Sequence, residues 1–129
     1  MTAIPRNAAA TSRKAVPTVA ADRGMLRGLS FRDKPTATTP GQRERSATVW
    51  TAGDSVRAGY WECETGTFTA VREGEHEICY IASGSASLHD ADGMVTPIGP
   101  GTVLVLPAGW QGSWEIHEPL EKMFVVVTG

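Results

Sequence analysis

The stretch GTVLVLPAGWQGSW, residues 101–114, joins a short apolar run to a turn and then to a second alternating segment. Residues 102–106 predict a strand, Pro107-Ala-Gly109 a turn and residues 111–117 another strand, because proline fixes one backbone angle and glycine frees another. The same texture begins at Ala47, and further strands are predicted at 47–50, 56–63, 67–72, 75–83, 85–89, 94–98 and 122–127. Many short strands without a sustained helical period indicate an all-β barrel or sandwich.

The chain has the size of one globular domain. Its 129 residues are 41% apolar, which suffices for a single core. It has no run of eighteen apolar residues and no signal-peptide pattern, so we expect no membrane partner and a cytoplasmic location. Cys63 and Cys79 lie far apart in apolar patterns, which predicts two free buried thiols; a strand-to-strand disulfide is the alternative.

Charge divides the chain into two regions. Residues 1–48 hold nine basic and three acidic residues, a net charge of +6, and since the whole chain carries −2, the remainder carries −8. This asymmetry predicts a basic N-terminal arm at residues 1–46 and an acidic domain at residues 47–129. The basic residues lack interleaved aromatic residues, so we expect the arm to dock on an acidic protein surface, its own or another subunit's, and expect no nucleic-acid partner.

Two stretches of the acidic domain resemble the two sequence motifs of cupins. Glu77-Ile-Cys-Tyr-Ile-Ala-Ser-Gly84 is similar to the end of the first motif, where the glycine forms a tight hairpin, and the stretch from Gly101 to Gly109 is similar to the start of the second. Together with Gly112-Ser-Trp114-Glu115, they resemble the small-cupin family that includes (S)-ureidoglycine aminohydrolase-type and ethanolamine-utilisation cupins. The resemblance implies an RmlC-like cupin double-stranded β-helix, a jelly-roll barrel with an N-terminal extended arm, and a homodimer.

The resemblance also identifies the positions of a cupin metal site. Metal-binding cupins carry a His-x-His pair, a glutamate and a third histidine, donors that suit manganese, iron, nickel or zinc. The equivalent positions are Val71 and Glu73, or Ala70 and Arg72 with the longer spacing, then Glu77, and Gly112 for the third histidine. Only Glu77 remains of the four ligands, so we expect no metal and no cofactor at this site.

Other residues offer a weaker metal site. Glu73 and Glu77 lie four residues apart on one predicted face and could together hold a divalent cation with water, which is the alternative to a metal-free site. His76 is adjacent to Glu77 and so points to the opposite strand face. His89 and His117 are predicted at the surface, where a hydrogen-bonded histidine is the expected outcome.

The predicted barrel interior is aromatic and apolar. Trp61, Cys79 and Trp114 fall on inward faces, and with Trp110 they are the candidate ligand-binding residues. Gly112 is expected to leave space into which Trp114 leans. The alternative is that these aromatic residues only fill the core.

Glu77 is the candidate catalytic residue. A lone carboxylate in an apolar barrel is expected to have a raised pKa and to act as a general acid or base, unless Arg72 or Arg57 pairs with it. Two functions follow: binding of a small polar metabolite in the barrel, or an enzyme that uses Glu77, with or without a metal, on a small amide, amine or sugar-like substrate.

Overall fold

Two long strands that pair with each other organise the fold. The structure, a computed structural model, describes residues 15–129. A 3-10 helix spans Arg23–Gly28, and eight strands follow. They are β1 (Arg32–Asp33), β2 (Arg43–Ala52), β3 (Val56–Cys63), β4 (Gly66–Val71), β5 (Glu75–Asp90), β6 (Val95–Ile98), β7 (Val103–Leu106) and β8 (Gln111–Thr128).

The two long strands, β5 and β8, each contribute to two sheet layers. The first half of β5 pairs with the second half of β8. In this layer β7 lies beside β5 on one side, and β3, β2 and β1 follow β8 in that order on the other. The second half of β5 pairs with the first half of β8, and β6 and β4 extend the other layer. All of these pairings are antiparallel, which is the arrangement of a jelly-roll barrel and confirms the predicted all-β fold.

Gly84 marks the corner between the two layers. The β5–β8 register shifts between Ile81 and Ala86, and Gly84 has a φ of 86°. A Cβ at this position would overlap the carbonyl oxygen of Pro119 on β8, so only glycine permits the close approach. The prediction of a hairpin at Gly84 was therefore wrong: β5 continues through a bulge instead of reversing.

The basic arm packs on the barrel of its own chain. Leu26 in the 3-10 helix is buried, and Arg23 pairs with Glu121 of β8 at 2.9 Å. Arg45 of β2 pairs with Glu62 of β3 at 2.8 Å. The boundary predicted between residues 46 and 47 falls inside β2, which spans Arg43–Ala52. Residues 1–14 of the predicted arm lie outside the described residues.

The core lies between the two layers. Inward side chains of β3 to β8 form one cluster: Trp61, Cys63, Phe68, Cys79, Ile81, Ala86, Leu88, Ile98, Leu106, Trp114, Ile116 and Leu120. Cys63 and Cys79 are both buried and both free, as the apolar patterns predicted. Within residues 15–129, no helix is long and apolar enough to cross a membrane.

Candidate functional site

A cavity of about 550 Å³ opens at one end of the barrel. Its walls come from β2, β3, β5, β7 and β8 in one layer and from β4 in the other. Lys34 and Thr36, which precede β2, complete them. The lining residues are Lys34, Thr36, Ser46, Thr48, Arg57, Trp61, Phe68, Thr69, Ala70, Val71, Arg72, Glu77, Leu106, Trp114, Lys122, Phe124 and Val126. The volume is that of a typical small-molecule site.

Three aromatic rings form the floor of the cavity. Phe68 and Trp114 are register partners on β4 and β8, and their rings stack at 5.8 Å with an interplanar angle of 15°. Trp61 of β3 meets both rings edge-on at 5.9 Å. Such pairs stabilise a barrel interior beyond the area they bury, so the floor is rigid.

A buried ion cluster stands on one side of the floor. The Lys122 ammonium donates to Glu77 Oε2 at 2.7 Å, and Arg72 donates to Glu77 Oε1 at 3.0 Å. The side chains of Lys122 and Glu77 are each only 8% exposed. The Cys79 thiol also donates to Glu77 Oε2, at 3.1 Å. Both oxygens of the candidate catalytic carboxylate are therefore already engaged.

A second ion pair stands on the other side of the floor. Lys34 donates to Glu44 Oε1 at 2.8 Å, and the indole nitrogen of Trp61 donates to the same oxygen at 2.8 Å. The Lys34 ammonium lies 4.2 Å from the ring centroid of Phe68. The Lys122 ammonium lies 4.5 Å from that of Trp61 and 4.6 Å from that of Trp114. The protein's own cations therefore occupy faces of all three rings.

The cations determine how the buried carboxyls ionise. Burial, the largest single influence, raises the pKa of Glu77, but Lys122, Cys79 and Arg72 together outweigh it and hold that pKa below its ordinary value of 4.5. At Glu44, burial again raises the pKa, but the hydrogen bonds from Lys34 and Trp61 lower it, and the pKa of Glu44 is below its ordinary value as well. The raised pKa predicted for a lone Glu77 was wrong, because the carboxylate is paired; the predicted alternative, a salt bridge to Arg72, is present.

These pKa values predict a specific loss of stability in acid. A carboxyl with a lowered pKa in the folded protein adds stability above its ordinary value of 4.5, and this stability is lost as the pH falls through the folded value. We expect urea denaturation to give a steeply falling free energy of unfolding below about pH 4.5, and a shallower fall in Glu44→Gln, which cannot lose that ion pair. The same slope in both proteins would contradict this assignment.

The cavity contains three of the five predicted site residues. Glu77, Trp61 and Trp114 line it, whereas Cys79 lies beneath Glu77 in the core. Burial raises the pKa of the Cys79 thiol to about 12, so it is an unreactive neighbour. Trp110 is not among the lining residues; its indole nitrogen donates to Asp90 at 2.8 Å on the other layer.

Trp110 also fills the space expected beside Gly112. A Cβ on Gly112 would overlap the carbonyl oxygen of His89 and approach a Trp110 ring carbon to 2.7 Å. The prediction that Trp114 leans into this space was wrong, because Trp114 instead stacks on Phe68.

The residues at the cupin metal positions do not fit a metal ion. Ala70 of β4 and Gly112 of β8 are direct register partners, so these positions do converge, but neither residue has a donor side chain. Arg72 brings a positive charge to the site, and Glu77 is already paired with two cations. Among residues 15–129 there is no group of three or more histidine, cysteine, aspartate or glutamate side chains suited to a metal.

The remaining metal candidates lie away from the cavity. Glu73 is exposed in the turn between β4 and β5, whereas Glu77 is buried. The histidines make surface hydrogen bonds: His76 accepts from the Ala108 amide, His89 contacts Glu115, and His117 contacts Ser87. Glu73 and the three histidines are not part of the cavity lining.

Sequence reasoning missed Lys34, Glu44 and Lys122 as site residues. Lys122 carried a usable signal, because it alternates with Leu120 and Phe124 on the apolar face of β8, where a lysine needs a buried counter-charge. Lys34 and Glu44 lie in the region predicted as an arm, where no strand pattern indicated which residues enter the barrel.

Solved structures that resemble this one are cupins. The EutQ protein of Clostridium difficile covers 80% of this chain over 83% of its own length, with 17% identity and a TM-score of 0.66. Ectoine synthase from P. lautus covers 86% over 78% of its own length, with 15% identity and a TM-score of 0.64. A predicted oxalate decarboxylase from Thermotoga maritima covers 78% over 100% of its own length, with 22% identity and a TM-score of 0.58. At these identities the likeness is one of fold alone.

The family assignment comes from the sequence itself. No curated protein matches this chain. The sequence model of the EutQ-like cupin domain matches residues 50–124, which run from the end of β2 to within β8 and hold Trp61, Glu77, Trp114 and Lys122. The predicted small-cupin membership is thus confirmed, and this chain belongs to the EutQ-like cupin domain family.

Proposed function

We propose that this protein is a metal-independent cupin that binds a small polar metabolite in the barrel cavity. The observation that carries the proposal is the Lys122 ammonium, 2.7 Å from Glu77, the one cupin ligand residue that this chain retains. A lysine nitrogen that binds the carboxylate supplies the positive charge that a metal ion would otherwise bring. A metal ion at Glu77 would have to displace this ammonium and tolerate Arg72 beside it.

The lining of the cavity supports binding. It combines a rigid aromatic floor with a few polar and charged groups around it, the composition of small-molecule sites in general. The Lys34 and Lys122 ammonium groups are each held in place by an ion pair, which preorganises the charged part of the site.

The alternative function is an enzyme that uses Glu77 on a small amide, amine or sugar-like substrate. Ionised Glu77 would have to act as a base, but Arg72 and Lys122 hold its two oxygens. Ectoine synthase from P. lautus shares the fold, and that similarity does not carry its reaction over. Binding therefore has the stronger support.

Metal analysis tests the proposed function. We expect plasma mass spectrometry of the purified, untagged protein to find no stoichiometric transition metal, because the three cupin histidine positions carry valine and glutamate, or alanine and arginine, and glycine. Glu77→Ala is the matched control. Stoichiometric manganese, iron, nickel or zinc in the wild type, lost from Glu77→Ala, would overturn the proposal and favour the enzyme.

Two copies of the chain are proposed to pair through one uncharged surface. This surface, the outer face, consists of outward side chains in two rows across β7, β5, β8, β3 and β2. The rows are Val105, Ile78, Val125, Ala58 and Trp50, and Val103, Tyr80, Met123, Tyr60 and Ala47. Five strands at a spacing of about 4.8 Å make the outer face about 24 Å wide.

A second copy is the occupant that suits the outer face. The domain is acidic, but none of the ten positions is charged, and Glu121, which holds the 3-10 helix through Arg23, lies two residues from Met123 on β8, outside the two rows. Two such faces related by a twofold axis would cover each other with no unpaired charge. This pairing agrees with the homodimer that the family resemblance implies.

Sedimentation measures this pairing. We expect a wild-type dimer, and a monomer for Ile78→Glu, because the new carboxylate would be buried in the interface. Val95→Glu, on exposed β6 outside the outer face, should remain a dimer. A monomeric wild type, or equal dissociation of both variants, would contradict the outer face as the interface.

We also propose a cytoplasmic location. Cys63 and Cys79 are both free, and burial raises the pKa of both thiols to about 12. Free buried thiols are typical of proteins in reducing compartments.

A further inference from the structure

We propose that the ligand of the cavity is a small monocarboxylate whose carboxylate is bound by Lys34 and Lys122. The inference rests on the proposed binding function and names its ligand class. Its first support is the number of hydrogen bonds that the two ammonium groups can donate. Each has three N–H donors, yet each makes one hydrogen bond to an oxygen of the described residues, to Glu44 and to Glu77 respectively.

The spare donors belong to buried groups. The Lys34 and Lys122 side chains are 12% and 8% exposed, and both line the cavity. A buried ammonium that donates to only one oxygen has lost most of its hydrogen bonds to water. This loss is unfavourable unless another acceptor comes within reach. A carboxylate in the cavity would supply acceptors for these spare donors.

The aromatic floor argues against a cationic ligand. Rings of this kind bind quaternary or primary ammonium groups when their faces are free. Here Lys34 lies over Phe68, and Lys122 lies over both Trp61 and Trp114. A ligand cation would meet two lysine ammonium groups where it would need to bind, and like charges at short range repel.

The charge balance of the site favours one negative charge over two. Among residues 15–129, four cations line the cavity: Lys34, Arg57, Arg72 and Lys122. Three carboxylates pair with them, Glu44, Glu75 and Glu77, which leaves a surplus of one positive charge. A monocarboxylate neutralises this surplus, whereas a phosphate monoester would add nearly two negative charges.

The rest of the lining suits a neutral body with polar substituents. Thr36, Ser46, Thr48 and Thr69 contribute hydroxyl groups to the lining. A hydroxyl can donate to or accept from the ligand. The remaining lining from Ala70, Leu106, Phe124 and Val126 is apolar and would contact the carbon skeleton.

Titration calorimetry with four probes of one carbon skeleton tests the ligand class. The probes are butyrate, butyramide, butylammonium and butyl phosphate, which are an anion, a neutral amide, a cation and a dianion of similar length. We expect butyrate to bind at least about tenfold more tightly than each of the others, because it alone matches the surplus charge with an oxyanion.

Variants show whether binding occurs at the lysines. Lys34→Gln should weaken butyrate about tenfold or more, whereas Lys34→Arg, which keeps the charge, should stay within a few-fold of the wild type. Arg23→Gln removes the same charge from an exposed position outside the cavity and should leave affinity unchanged. Thermal melting of each variant confirms that it is folded.

The outcomes separate this inference from the proposed function. Butyramide that binds as tightly as butyrate would overturn the carboxylate but leave a metal-independent binding cupin. Tighter butyl phosphate, no butyrate binding, or equal loss in Lys34→Gln and Arg23→Gln would also overturn it. Stoichiometric metal at Glu77 would instead overturn the proposed function itself.

Discussion

Glu77→Gln is expected to lower the free energy of unfolding by about 3–5 kcal/mol. Glutamine keeps the size of glutamate but removes the negative charge that Lys122 and Arg72 share. The Lys122 ammonium, with a side chain 8% exposed, would then be a buried charge without a counter-charge. Urea denaturation at neutral pH measures the loss.

The same substitution at an exposed ion pair is the control. Glu64→Gln breaks the Arg43–Glu64 pair, whose side chains are 51% and 32% exposed, and should cost under about 1 kcal/mol. The double variant Glu77→Leu with Lys122→Met removes both charges, and we expect it to be more stable than Glu77→Gln. Equal losses in Glu77→Gln and Glu64→Gln would show that burial does not govern the Glu77 pair.

Gly84→Ala is expected to destabilise the barrel by about 2–5 kcal/mol. The substitution adds the strain of a positive φ, about 1–3 kcal/mol, to the cost of forcing atoms apart in a packed corner. The added Cβ would overlap the Pro119 carbonyl oxygen and lie 2.7 Å from Leu120 Cα. Because backbone atoms cannot rotate away, β5 and β8 would have to separate where both cross between layers.

Gly93→Ala isolates the backbone part of that cost. Gly93 also has a positive φ, 95°, but a Cβ there meets nothing within 4 Å. We expect a loss of about 1–2 kcal/mol from strain alone. Thermal or urea denaturation of both variants gives the comparison, and a Gly84→Ala protein no less stable than Gly93→Ala would contradict the packed corner.

Local sequence patterns predicted the strands of this fold well but not their continuity. Alternation located β3, β4, β6, β7 and both ends of β5 to within about a residue or two. The predicted strands have breaks at Gly84, where a hairpin was expected, and between residues 117 and 122. They are instead the facing bends of β5 and β8, where a bulge needs glycine for reasons that only the partner strand reveals.

The candidate site was predictable where strand parity applied. Parity on β3, β5 and β8 brought Trp61, Glu77 and Trp114 inward, and all three line the cavity. It gave no information for Trp110, which precedes β8 and turns toward Asp90. Parity also could not show that Glu44 and Lys34 approach Trp61 from the chain before Ala47, because that contact joins distant segments.

The charge pattern predicted that the basic region docks on an acidic surface. It did not predict which basic residues form surface ion pairs and which one enters the site. The ion pairs of Arg23 and Arg45 hold this region on acidic strands, as the charge asymmetry indicated. Lys34 belongs to the same run of basic residues, yet it lines the cavity and pairs with the buried Glu44. Net charge cannot distinguish these cases, because only burial decides which ion pairs are structural and which belong to a site.

The most direct test of the account is a crystal structure of the protein grown with excess manganese or nickel, with anomalous scattering recorded for the metal. We expect Lys122 Nζ to remain about 2.7 Å from the Glu77 carboxylate and no anomalous peak to appear in the cavity. An anomalous peak bound to Glu77, with the Lys122 ammonium displaced, would contradict it.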